Sequence, residues 1–247
     1  MAEAPAFYAR RGGRRADWWT LLHPPYTVWH LSYVVLGAAM APRIDGVALV
    51  LSVLAFFLAV GIAAHAYDER AGHPLGTAFT DRALMRLATA ALAGAVLLGL
   101  FGVFWWDGTN WALLVAIPVG ACLVVGYNAE LFHGMMHSDL VFALGWGGFP
   151  VVVGYVAQSP GASWRSLLAV AAATGAGIAT TYAQRFLSTP ARQLRRRTVE
   201  VSGTMTTTEG DVLAVDRPLL LVPLERALRA LSCGVPLLAL AALLAHL

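Results

Sequence analysis

Seven stretches of mostly apolar residues (28–41, 46–64, 84–105, 111–127, 140–157, 167–182 and 230–247) follow one another along this chain, most of them with only short connections between them. An α-helix needs about 20 such residues to cross the hydrocarbon core of a bilayer. Inside that core every backbone N–H and C=O must be satisfied within the segment, so the spacing predicts transmembrane helices. Charged residues are only 13% of the 247 and mean hydropathy is +0.66, whereas an ordinary soluble domain is about one quarter charged. The expectation is an all-α, polytopic bundle of about seven spans filling a single domain over residues 1–247, with no room for a separate extramembrane domain.

All 17 basic residues are arginine, and they are unevenly placed. With the N-terminus in the cytoplasm, the far-side connections hold only Arg43 and Arg165, and the other fifteen lie on or near the cytoplasmic side, as the positive-inside rule requires. Residues 1–20 then form a basic cytoplasmic segment and residues 198–216 a polar cytoplasmic loop. Residues 217–229 read as an amphipathic approach to the last span. The net charge of +3 and pI near 9.1 therefore express membrane orientation, not a nucleic-acid partner. A cleavable leader ending at Ala39-Met40-Ala41 is the competing reading of the first stretch, opposed by His30, Tyr33, Pro24-Pro25 and the further spans. Cys122 and Cys233 lie in apolar runs and read as inert small hydrophobes.

Chemistry-bearing residues gather at the cytoplasmic span ends. His65, Asp68 and Glu69 stand at i, i+3 and i+4, which puts them on one side of a helix. Carboxylates at that depth are costly unless paired, hydrated or metal-bound, and carboxylate oxygens are what Mg²⁺ prefers when it also takes phosphate oxygens. A solvated loop beside Arg70 is the bland alternative. The second group is Asn128, Glu130, His133, His137 and Asp139 at the end of the fourth stretch. It supplies either acidic ligands to a shared metal or one Glu-x-x-His of a di-iron arrangement, and His133 reads better as a wet loop residue. The third is Gln184-Arg185, where Arg185 sits one turn inside the apolar pattern with a planar fork suited to a diphosphate. Arg192 and Arg195–Arg197 read as anchors of the helix end.

In this order, the features resemble those of the UbiA superfamily of membrane prenyltransferases. Leu22-His23-Pro24-Pro25-Tyr26-Thr27 is similar to that family's early Arg-Pro-containing segment, His65-Ala-Tyr-Asp68-Glu69-Arg70 stands in the place of its first Asp-rich motif, and Tyr127 to Tyr155, with Trp146-Gly-Gly-Phe149-Pro150, resembles its fourth-to-fifth span region. The second Asp-rich motif, which the family carries on span six, is absent here. The resemblance implies a helical bundle with a central cavity in which Mg²⁺ and a prenyl diphosphate are held. Reaction would ionise the diphosphate and pass the prenyl group to an acceptor.

On this reading Asp68 and Glu69 are catalytic, and Asp68, Glu69, Glu130, Asp139 and His65 hold the metal. Arg185, Gln184, Tyr127 and Asn128 bind an isoprenoid or other lipid phosphate. Two alternatives stay open: a catalytically silent lipid-binding or scaffold protein on the same fold, and a His/carboxylate membrane metalloenzyme. The far-side span ends lack matching polar residues, which argues against a transporter. The glycines at 145, 147, 148, 175 and 177 read as close helix packing.

Overall fold

The computed structural model describes residues 4–106, 108–128, 136–158 and 163–246. Glu130 and His133 lie outside the described residues. Helix α1 (Arg14–Leu22) is short. Helix α2 (Pro24–Ala39) begins on two prolines, residues suited to a first helical turn because their missing N–H would be unpaired there anyway. Helix α3 runs Gly46–Arg70, α4 Asp81–Val103, α5 Trp111–Asn128, α6 Asp139–Gln158 and α7 Trp164–Arg196. A hairpin of β1 (Thr204–Thr206) and β2 (Val212–Ala214) precedes α8 (Arg217–Leu244).

Helix starts follow local chemistry. Asp45, Thr80, Ser138, Ser163 and Asp216 each accept a hydrogen bond from a backbone N–H in the first turn of α3, α4, α6, α7 and α8. Two long helices change pitch midway. Phe57–Ala64 in α3 and Leu144–Gly148 in α6 are π-helical, a geometry that shifts the hydrogen-bond register by one residue and frequently marks functional positions.

Six helices, α3 to α8, are long and apolar enough to cross a membrane. Helix α2 has the apolar character of a span but only 16 residues. It is nonetheless central: it packs on α3, α6, α7 and α8, and Trp29, Tyr33 and Val34 are fully or almost fully buried. Glycines permit this packing. A Cβ on Gly37 would strike the backbone carbonyl of Val151, and one on Gly154 would strike that of Val34, so α2 and α6 touch backbone to backbone at two levels. Gly147 and Gly177 do the same for α6 and α7, as close packing predicts, whereas Gly175 meets nothing. The Tyr33 hydroxyl fastens α2 to α7, accepting from Trp29 Nε1–H at 2.6 Å and from Thr181 Oγ1–H at 3.0 Å, with Thr180 Oγ1 at 2.7 Å. Helix α6 is the most buried of the six, with 61% of its apolar window inside the protein against 17% for α8, whose outer face is left for lipid.

The carboxy-terminal half departs from the sequence expectation in two places. Helix α7 does not stop near residue 182 but runs for 33 residues to Arg196, about 50 Å at 1.5 Å each, longer than a 30 Å hydrocarbon core requires. Helix α8 is likewise continuous from Arg217, so the amphipathic approach and the last span are one element. The polar loop at 198–216 contains an exposed hairpin in which Thr204 pairs with Ala214 and Thr206 with Val212.

Candidate functional site

At the end of the bundle where α2 starts and α3 ends lies a cavity of about 740 Å³, within the size range of ligand sites. One wall is the overhanging part of α7. Gln184, Arg185, Ser188, Thr189, Arg192, Gln193 and Arg196 recur at helical spacing and, with Arg197 at the cap just past the helix end, all line it. Arg192 and Arg196, expected as anchors, therefore belong to the site together with Arg185. The length of α7 decides this, because a helix ending at residue 182 would have released them into solvent.

The facing wall combines the start of α2 with the end of α3. His23, Tyr26 and His30 come from the first, and Ala64, His65 and Asp68 from the second. The His23 and His65 rings lie against each other with centroids 4.1 Å apart. His65 donates Nδ1–H to the Gly61 carbonyl at 3.1 Å, and His30 donates Nδ1–H to the Trp146 carbonyl at 3.0 Å. Both carbonyls belong to the π-helical turns. Burial holds the His23 imidazole well below its ordinary pKa, and His65, Arg196 and Arg192 push it the same way.

Deeper in, Tyr127, Phe142 and Trp146 form an aromatic group. Tyr127 and Trp146 centroids are 4.7 Å apart, Phe142 and Trp146 stack at 5.2 Å, and the Arg185 guanidinium lies 5.1 Å from the Phe142 ring. Trp146 also lines a second, predominantly apolar crevice of about 110 Å³ between α3, α4, α5 and α6, whose walls include Ala59, Val60, Val124 and Phe149. A single indole thus stands between a polar chamber and a hydrocarbon one.

Residues 4–13 lie across the cavity as a strap, and Ala6 and Tyr8 line it. Arg196 donates Nε–H to the Pro5 carbonyl at 2.9 Å, Trp19 donates Nε1–H to the Tyr8 carbonyl at 3.0 Å, and Arg10 and Thr20 exchange two hydrogen bonds. Burial raises the Tyr8 phenol well above its ordinary pKa, with the Tyr26 phenol adding to the effect.

Three buried polar atoms in the lining have no hydrogen-bond partner: His23 Nε2, the Tyr127 hydroxyl and Gln184 Oε1. Buried polar atoms are normally paired. Leaving three in one chamber is what a site built for a polar ligand does.

The residues singled out by sequence divide accordingly. His65, Asp68, Tyr127, Asn128, Gln184 and Arg185 do converge on the cavity, although Asn128 turns its Nδ2–H back to the Val124 carbonyl. Glu69 does not line it. Its carboxylate is fully buried on another side, accepting from Leu75 N–H at 2.8 Å, Thr77 N–H at 2.9 Å and Thr77 Oγ1–H at 2.8 Å, and so it ties down the connection between α3 and α4. Asp139 accepts from Arg185 Nε–H at 2.7 Å and is not among the lining residues. Asp68, Glu69 and Asp139 therefore do not meet, with Glu130 outside the described residues: among the described residues no three His, Cys, Asp or Glu side chains come together in a way that could hold a metal ion, and the described residues by themselves do not make up the Mg²⁺ site the resemblance implies. His23, His30, Tyr8 and Tyr26, with Arg192, Arg196 and Arg197, are the lining residues to which the sequence reading gave no ligand role. The signal available was imidazole and phenol recurring in an otherwise apolar first stretch.

Comparison with protein-family models, with curated proteins and with solved structures finds no match for this chain.

Proposed function

We propose that this is an integral membrane protein that binds an isoprenoid diphosphate or a related lipid phosphate, with the phosphate against the arginines of α7 and the lipid chain passing Trp146 toward the apolar crevice. In this reading α2 crosses the bilayer with the six longer helices, the N-terminus lies in the cytoplasm and the cavity sits at the inner leaflet. The observation that carries it is the charge balance of the chamber. Among its described lining residues are Arg185, Arg192, Arg196 and Arg197 but one carboxylate, Asp68. Gathering that much positive charge in a half-buried site favours an anion with several acceptor oxygens, and guanidinium groups match phosphate geometry with paired N–H donors. The shared wall at Trp146 favours an anion that carries a chain.

Prenyl transfer of the UbiA kind is the second reading, favoured by the aromatic group of Tyr127, Phe142 and Trp146 beside the arginines. There the C–O bond of an allylic diphosphate would break with its electron pair leaving on the diphosphate, which the arginines would stabilise. Ring faces would stabilise the allylic cation, and Asp68 would take the proton that the acceptor loses.

Purified protein in lipid nanodiscs would be titrated with farnesyl diphosphate, with and without Mg²⁺. The proposal expects saturable binding that Arg192→Gln and Arg196→Gln each weaken about tenfold, the effect of losing about 1.4 kcal/mol. No binding, or binding indifferent to both substitutions, would end it. Release of diphosphate in the presence of a phenolic acceptor, abolished by Asp68→Asn, supports transfer. Binding without release leaves a lipid-phosphate binder on the same fold.

A further inference from the structure

The charged and imidazole groups of the two walls differ in the sign of their hydrogen bonding. The α7 wall presents guanidinium groups, which only donate, beside Gln184, whose buried Oε1 is an acceptor without a partner. The imidazoles and carboxylate of the facing wall, beside the Tyr26 phenol, are set the other way. A backbone carbonyl can only accept, so the bonds from His65 Nδ1 to Gly61 and from His30 Nδ1 to Trp146 fix the proton of each neutral ring on Nδ1. The Nε2 atom of each ring is then a bare lone pair, and no hydrogen bond to either is found among the described residues. Asp68 adds carboxylate oxygens one turn beyond His65. Two elements hold this arrangement in place, because both accepting carbonyls lie in π-helical turns where the helix register has shifted. His23 Nε2, buried and without a partner, lies on the same wall.

An ionised phosphate or diphosphate has acceptors only. It satisfies the arginines and leaves His30, His65 and Asp68 facing further lone pairs. We infer that the ligand carries hydrogen-bond donors beside its phosphate, the hydroxyl groups of a polyol or sugar head, and that His30 and His65 select for them. This rests on the lipid-phosphate reading above and narrows it: a bare lipid phosphate fills half of the site, and a hydroxylated head group spans from the α7 arginines to the imidazole wall.

The test compares short-chain phosphatidic acid, which has a bare phosphate, with short-chain phosphatidylinositol, added to the full chain in phosphatidylcholine nanodiscs at pH 7.5. The inositol lipid is expected to bind at least tenfold more tightly. His30→Phe and His65→Phe together bring the two affinities within about twofold of each other, whereas Arg192→Gln weakens both lipids alike. Soluble myo-inositol 1-phosphate separates the sources: binding near that of the lipid assigns a free phosphorylated polyol, and much weaker binding assigns the lipid.

Because the double variant could fail to fold, ¹⁵N-histidine NMR of the unsubstituted protein supplies a second readout. Phosphatidylinositol is expected to shift the Nε2 resonances of His30 and His65 while their Nδ1 resonances stay protonated. Equal affinity for the two lipids with both still dependent on Arg192 overturns the head-group inference and leaves the phosphate site standing. Failure of every phosphate probe overturns both. A transition metal that co-purifies with the protein and is lost in His30→Phe and His65→Phe overturns the inference too, since the lone pairs would then have a different occupant.

Discussion

Arg185 donates Nε–H to Asp139 across 2.7 Å, joining the middle of α7 to the first turn of α6. Both residues were candidates for ligand chemistry on their own account. Paired, they restrain each other: the carboxylate takes one edge of a fork that otherwise faces the cavity, and the guanidinium still reaches over Phe142.

Asp139→Asn is therefore expected to strengthen binding of a lipid phosphate by several-fold, since it removes a competing anion from Arg185. Its effect on stability is small, about 1 kcal/mol or less, because Asp139 is 45% exposed and exposed ion pairs contribute little. Titration of the variant with farnesyl diphosphate, beside a thermal melt in detergent, checks both halves. Weaker binding would mean that the pair holds Arg185 in its working position.

Glu69 predicts the opposite pattern. Three hydrogen bonds converge on its buried carboxylate, two of them from backbone N–H groups. Glu69→Ala strands those donors and is expected to cost about 3 kcal/mol, with Glu69→Gln costing less because one acceptor oxygen remains. Thermal unfolding with and without Mg²⁺ reads the outcome. Protection by the ion that disappears in Glu69→Gln would restore the metal-ligand role expected from sequence.

A second carboxylate shows the same logic between helices. Glu225 of α8 forms a two-pronged ion pair with Arg195 of α7, Nε to Oε1 and a terminal nitrogen to Oε2 at 2.8 Å, and both side chains are nearly buried. Glu225→Gln is expected to destabilise by about 3–5 kcal/mol, the usual consequence of removing one partner of a buried pair. A melt shift much smaller than this would indicate that water enters the α7–α8 seam.

Acid sensitivity follows from His23. Its imidazole is held neutral in the folded protein, mainly by burial and further by His65, Arg196 and Arg192. Above about pH 6.5 the ring is neutral in both folded and unfolded chains and contributes no pH dependence. As pH falls below that value the unfolded chain takes up the proton and the folded one resists, so stability declines with a slope approaching about 1.4 kcal/mol per pH unit. Melts between pH 7.5 and 5 are expected to show this fall, and His23→Gln to flatten it. A stability maximum near pH 5 would contradict the neutral, buried ring.

Much of the architecture was legible along the chain. Alternation between apolar runs and Arg-bearing connections is a property of each segment by itself, and transfer into lipid is additive over residues, so the helical membrane bundle and the end bearing His65, Asp68, Tyr127 and Arg185 could be read directly. The hairpin at Thr204–Thr206 and Val212–Ala214 escaped notice because its residues are all exposed and no burial pattern marks them.

The division of labour among neighbours was decided only in three dimensions. Asp68 and Glu69 are adjacent and chemically alike, yet one lines the cavity and the other is consumed by the Leu75–Thr77 turn. Arg195 and Arg196 are adjacent in one basic run, yet one is bound to Glu225 and the other lines the cavity and holds the strap. Sequence establishes what each residue could do and which end of its apolar segment it occupies. Which of those capacities is used depends on which distant segment packs against it, and that is set by helix crossings such as the Gly37–Val151 and Gly154–Val34 contacts, where the gain comes from backbone shapes meeting across more than a hundred residues.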